Sequence, residues 1–144
     1  MEGLPPSLLA LSTYLLSRTG KAARGRMAAG LAARGSRMPH MAVLAALADF
    51  GPDSQRGLSA RLGIDPSDLV KVLDELAAPG YVQRARDPSD RRRTSVELTD
   101  AGRTELDHQL SEATAVQDEL LAPLAPQERE QLHALLQRVH EGLQ

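Results

Sequence analysis

Asp90, Arg91, Arg92 and Arg93 set one carboxylate directly ahead of three guanidinium groups, in a chain of 144 residues whose formal net charge is only −2. The chemistry open to such a cluster is binding. Arginine stays charged at any ordinary pH, and its planar fork of donors matches carboxylates and phosphates. A solvated turn would account for the same residues, so the flanks decide. Thr94, Val96 and Leu98 alternate with polar neighbours in the period-two manner of a strand, and Tyr81 to Arg86 reads as a second strand. The arginines are therefore expected in the loop at the tip of a folded hairpin. Asp90, two residues before Arg92, is expected to hold that guanidinium in a bidentate pair.

Other chemistries lack their residues. With no cysteine, thiolate metal sites, cysteine nucleophiles and disulfides are excluded together. His133 and His140 share a helix face but lie too far apart to chelate one ion, and His108 adds no ligand spacing, so no metal is expected. No glycine-rich phosphate loop and no Ser/His/acid arrangement argues for catalysis, and no cofactor is implied. One Phe, two Tyr and no Trp are too few to build the stacking platforms of a single-strand or RNA binder.

The elements that must position the arginines can be read along the chain. Leu4, Leu8, Leu11 and Leu15 repeat at helical spacing, which predicts one long first helix. Gly20, Gly25, Gly30 and Gly35 fall within it and predict a kink or close packing. Met41 to Leu47 begins a second, short apolar helix after Pro39. Asp49 to Ser54, DFGPDS, reads as a break. Ser54 then caps a third helix carrying Leu58 and Leu62, which stops at Gly63. Asp65 caps a fourth, with Pro66 at its first position and Leu69, Val70, Leu73, Leu76 and Ala77 as its apolar stripe. That helix ends at Ala78 to Gly80. Beyond the hairpin, Thr99 caps a long helix, and after Pro123 and Pro126 a last helix carries Leu132, Leu135, Leu136, Val139 and Leu143.

Two short helices joined through LGID have the layout of a helix-turn-helix, and a hairpin after it makes a winged helix. The fold class is thus mostly α with a small β-hairpin. In this arrangement the second helix enters the major groove of duplex DNA. The hairpin tip lies over phosphates or in the minor groove, where negative potential favours arginine.

The run LSARLGIDPSDLVKVLDELAAPGYVQRARDPSDRRRTSVELTDAGR, Leu58 to Arg103, resembles the DNA-binding core of the MarR family of bacterial transcriptional regulators. Its Asp-x-Arg at Asp90 to Arg92 and its LT..G at Leu98 to Gly102 carry the likeness, and the helices on either side agree in layout. The resemblance implies a winged helix-turn-helix over 38–103, with 1–37 and 104–144 forming a helical dimerisation region. It further implies that Arg92 reaches the minor groove, that Asp90 supports it, and that Arg91 and Arg93 face phosphates. Ser67, Asp68 and Lys71 face away from the apolar stripe toward base edges or phosphates, with Arg86 on the wing as a further contact. For Asp68 the preferred reading is a cap of its own helix, since an acid facing DNA costs affinity unless it accepts from a cytosine amino group. Ser54, Gln55 and Arg56 open the preceding helix, whose amides suit a phosphate.

Function follows as an expectation: a dimeric, sequence-specific reader of double-stranded DNA, acting as a ligand-responsive repressor on a pseudo-palindromic operator. The alternative is a winged helix reused for protein interaction, which has no need of three adjacent arginines. The apolar last helix demands a partner, and a homodimer supplies one. In the resembling family an anionic aromatic effector commonly binds between the dimer region and the winged helix, and Tyr14, Arg18 and His40 are the candidates here. Gly3 to Ala48 carries six basic residues and no acid, whereas Thr99 to Gln144 carries three basic and nine acidic ones, so the two ends are expected to meet. No apolar run reaches membrane-spanning length and no leader pattern opens the chain, which predicts a cytoplasmic protein.

Overall fold

The computed structural model describes residues 3–87 and 89–144, and the side chains of Asp87 and Arg91 lie outside the described atoms. Two compact units emerge: Met1–Ala23 with Thr114–Gln144, and Arg24–Ala113. Helices α2 (Ser12–Ala33) and α6 (Asp100–Leu120) each contribute to both.

The larger unit is built on α3 (Met38–Phe50), β1 (Asp53–Ser54), α4 (Gln55–Leu62), α5 (Pro66–Ala77), β2 (Val82–Asp87) and β3 (Asp90–Leu98). The sheet is antiparallel in the order β1-β3-β2, with Asp53 opposite Val96 on one side and Arg84 opposite Val96 on the other. Val96 is thus flanked on both sides by backbone, and it is fully buried. Val43, Leu44, Leu47, Leu58, Leu69, Val72, Leu73, Leu76, Val82 and Leu106 close around it. Burying each of the larger side chains stabilises the unit by about 1.5–3 kcal/mol, and this packing fixes the angle between helices and hairpin.

Local sequence explains the boundaries. Ser54 Oγ accepts from the Gly57 N–H at 2.9 Å and starts α4, while Gly63, at φ 64°, adopts the left-handed conformation that ends it. Asp65 Oδ1 accepts from the Ser67 N–H at 2.9 Å, with Pro66 in the first turn of α5. Thr99 Oγ1 accepts from the Gly102 N–H at 3.0 Å and opens α6. A side chain on Gly102 would collide with the Tyr81 carbonyl, so the LT..G pattern has a steric cause.

Several expectations give way. The first helix is two, α1 (Pro6–Leu9) and α2; a short break leaves the leucine spacing nearly unchanged, so periodicity did not reveal it. Gly20, Gly25 and Gly30 lie inside uninterrupted α2, and a Cβ on any of them would meet nothing within 4 Å in this chain. Gly35, at φ 69°, instead ends that helix, with the Ser36 N–H returning to the Leu31 carbonyl at 2.8 Å. Helix α3 starts at Met38, with Pro39 inside its first turn. The stretch read only as a break contains β1, too short to show alternation. Val70 leaves the apolar stripe and is exposed, and Val72 is buried in its place, because the helical period, not hydrophobicity, decides which face a residue joins.

The smaller unit contains α1, the start of α2, the end of α6, and α7 (Pro126–Glu141). Glu128 Oε1 accepts from the Ala125 N–H at 2.8 Å and caps α7, and Arg129 donates to the Leu124 carbonyl at 3.2 Å across the turn. No described residue of this unit is buried.

Candidate nucleic-acid interface

The outer face of α5 is exposed at Ser67, Asp68, Val70, Lys71 and Asp74, while Leu69, Val72, Leu73 and Leu76 anchor it from behind. Its first turn is held by Asp65, which also accepts from the Ser67 hydroxyl at 2.5 Å. Those bonds to Ser67 hold the Asp65 carboxyl below its ordinary range. Asp65 therefore does the capping, and Asp68 stands exposed with no ion-pair partner among the described residues. The other acids of α5 are answered by neighbours. Asp74 Oδ1 meets Arg84 Nη2 at 2.9 Å. Glu75 meets His40 Nε2 at 3.1 Å and Arg37 Nη2 at 3.6 Å. Lys71 is thus not outweighed across the whole face.

Two parts of the wing reading are corrected. Strand β3 begins at Asp90, so Arg91, Arg92 and Arg93 lie within the strand and not in the loop; the pairing of Asp87 with Asp90 extends the ladder past a register shift at Arg86/Asp87. Arg92 and Arg93 are exposed, and Arg91's side chain lies outside the described residues. Asp90 Oδ1 accepts from the Arg92 backbone N–H at 3.0 Å, and its Oδ2 lies 3.8 Å from Arg93 Nε. A short carboxylate beside a turn reaches the N–H two residues on before it reaches a guanidinium at the end of a long side chain. Asp90 shapes the strand start, and the Arg92 guanidinium is not its partner.

Arg86 is exposed on β2, opposite Thr94. Arg56 is exposed on α4, where Gln55 is half-buried, and the Ser54 hydroxyl already satisfies one of that helix's first amides. A cleft of about 520 Å³ between α4 and α5 is lined by Gln55, Arg56, Ser59, Ala60, Pro66, Leu69 and Val70. The reading from sequence missed Val70, Asp74 and Arg84 on these surfaces. Period two, counted from Val82, does put Arg84 on the face toward α5.

The three effector candidates fall in different units. Arg18 lies 5.8 Å from the centre of the Tyr14 ring on α2 and lines a cleft of about 460 Å³ with Leu4, Leu9, Leu15, Thr19, Ala22 and Leu120. His40 belongs to the larger unit and is buried, its Nδ1 accepting from the Arg37 N–H at 3.2 Å while Nε2 faces Glu75. Both ring nitrogens are engaged. Of the opposed basic and acidic ends, Arg34 makes the anticipated contact. Its guanidinium donates to Glu105, with Nε at 3.1 Å from Oε2 and Nη2 at 2.5 Å from Oε1, and reaches Glu112 at 3.4 Å. Gln109 donates to the same Glu105 carboxylate at 3.1 Å. Arg34's hydrogen bonds, then Gln109's, hold the Glu105 carboxyl below its ordinary range against the opposing effect of burial, and Glu105 raises Arg34 further.

A capped second helix with one exposed face, a three-stranded wing bearing exposed arginines and a shared core define a winged helix-turn-helix protein. The MarR family model matches residues 36–93. A MarR-family transcriptional regulator from Rhodococcus sp. RHA1 is 30% identical, with a TM-score of 0.74 over 88% of this chain and 90% of that one. The chain belongs to the MarR family. It is also similar to CouR from Rhodococcus jostii RHA1, solved bound to p-coumaroyl-CoA, at 30% identity and a TM-score of 0.74 over 94% of this chain and 95% of that one. The transcriptional repressor NicR of Pseudomonas putida is 33% identical over 96 residues, 67% of this chain and 61% of NicR. The matches to curated relatives span between 33% and 63% of those proteins' own lengths.

Proposed function

We propose that the protein is a dimeric transcriptional regulator that reads double-stranded DNA in sequence-specific fashion and acts as a ligand-responsive repressor. The observation that carries this reading is the pairing of an exposed, capped α5 face bearing Ser67, Val70 and Lys71 with exposed Arg92 and Arg93 on the adjoining hairpin. Base edges are read by the first and phosphates or the minor groove by the second. In this role Lys71 and Ser67 meet bases or phosphates, Val70 offers an apolar contact to a thymine methyl, Arg92 reaches the minor groove, and Arg56, Arg86, Arg91 and Arg93 meet the backbone. Membership of a regulator family and the likeness to the repressor NicR support the assignment.

Dimerisation through 1–37 and 104–144 is part of the proposal. Leu8, Leu11, Leu15, Leu16, Leu135, Leu136, Val139 and Leu143 are all exposed in the single chain. A second copy burying them is the economical arrangement. For the effector, the apolar cleft beside Arg18 and Tyr14 suits a ligand with an apolar body and one anionic group, and the ligand-bound CouR supports a small molecule in this role. No helix among the described residues is long and apolar enough to cross a membrane, in keeping with a cytoplasmic site of action.

The test is selection of duplexes from a random pool by the purified protein, followed by footprinting. The expected result is a pseudo-palindrome with half-site centres about 10 bp apart, one turn of B-DNA. Failure to retain any duplex would leave the winged helix as a protein-interaction module.

A further inference from the structure

Arg84 and Asp74 are joined across two elements that have to meet DNA at the same time. Arg84 lies on β2, two residues beyond buried Val82 and opposite buried Val96, so it continues the core-facing side of the strand past the edge of the core. Asp74 lies on the outer face of α5, one turn beyond Lys71. Arg84 Nη2 donates to Asp74 Oδ1 at 2.9 Å, with Arg84 two-thirds covered and Asp74 mostly exposed. An acid on the outer face of a reading helix is unfavourable toward a polyanion, so its presence calls for a use within the protein.

We infer that Arg84 and Asp74 are positioning residues that set the pitch of the wing relative to the reading helix, and so let α5 and the strand-borne arginines engage one DNA site together. The inference rests on the DNA-binding reading above and adds to it a pair whose role is to hold the wing and not to contact DNA. Leucine and valine packing fixes the hairpin only as far as Val96; Thr94, Arg93 and Arg92 beyond it are exposed. Arg84 pairs with Asp74 at the last point where the hairpin is still seated on the helix. A guanidinium–carboxylate contact is directional, so it restrains rotation as well as distance. Rotation about the hairpin base displaces Arg92 far more than it displaces Val96.

The rival role for Arg84, a direct phosphate contact, predicts the opposite sign for its partner. Were Asp74 merely a nearby negative charge, Asp74→Asn would tighten binding to every duplex. If it positions the wing, Asp74→Asn loosens binding to a duplex selected by the wild-type protein, although the change removes negative charge next to DNA. Two pairs per dimer, each of ordinary exposed ion-pair strength, place that loss between about twofold and thirtyfold. Arg84→Met should match it, the double variant should be no weaker than either single one, and the exchanged pair Asp74→Arg with Arg84→Asp should recover most of the affinity. Melting temperatures should stay close to wild type, since both side chains lie at the surface. Asp74→Asn binding as tightly as wild type or tighter, or an exchanged pair weaker than both single variants, would overturn the inference while leaving DNA binding intact. A wild-type protein that retains no duplex at all would overturn both.

Discussion

Glu105 shows how much one side chain can hold. It is a nearly buried carboxylate that accepts from Arg34 and Gln109, joining the end of α2 to α6 within the larger unit. Its folded pKa lies below the ordinary carboxylate value, chiefly through Arg34. A group so depressed contributes stability that is complete above its unfolded pKa, about 4.3, and is lost as pH falls through the lower folded value. Denaturant midpoints should therefore fall on acidification below about pH 5 in the wild type, and fall less steeply in Glu105→Gln. The variant should be less stable than wild type at pH 7, because the neutral amide removes the charge paired with Arg34 and turns an oxygen that accepts from Arg34 and Gln109 into a donor NH2. A midpoint at pH 7 unchanged by the substitution would mean that the pair adds nothing. At the same scale, Asp90 was legible as a supporting residue but not in its manner of support. Which donor a short carboxylate reaches depends on backbone torsions, which residue type and spacing leave open.

The two elements proposed to meet DNA should fail differently. Arg92→Ala removes a charge from β3, so it should weaken binding to selected and random duplexes alike and flatten the dependence of log K on log salt. Two copies releasing about two counterions correspond to a slope shallower by about 1.8. Lys71→Ala, on α5, should cost about 1–3 kcal/mol for each base that the side chain reads, and should narrow the gap between selected and random DNA. Binding isotherms at several salt concentrations check both, and an unaltered slope in Arg92→Ala would return the arginines to a solvated role. At this scale the helices α4 and α5 and their caps could be read directly, because Ser54, Gly63, Asp65, Pro66 and Gly80 each act within a few residues of their own position. Strand β1 could not. Two residues show no alternation, and it is a strand only through its pairing with Val96 and Ser95, more than forty positions on.

For the whole molecule the smaller unit decides. It contains no buried residue among those described, and its leucines face outward from α1, α2 and α7. If that unit is stabilised by a second copy, as proposed, the melting temperature should rise with protein concentration. Deleting Gln127 to Gln144 should yield a monomer or an aggregate and abolish binding to the selected duplex, as followed by light scattering and mobility shift. A soluble truncated protein with unchanged affinity would refute the dimer. The charge opposition between the two ends is answered only in part, and within the larger unit: Arg34 meets Glu105 and Glu112, yet Arg37 turns instead to Glu75 on α5.

Taken by itself, the sequence determined the helix-turn-helix, the hairpin after it, the arginine-bearing wing and the family likeness, because caps, turn glycines and apolar periods are local signals that survive without a third dimension. The tertiary structure decided where those local pieces meet. It set Arg91 to Arg93 into a strand, brought β1 to the sheet edge, engaged both nitrogens of His40, turned Val70 outward and joined Arg84 to Asp74. Each of these depends on register or on contact between residues far apart in the chain, where many pairings are compatible with one pattern and only the packed core selects among them.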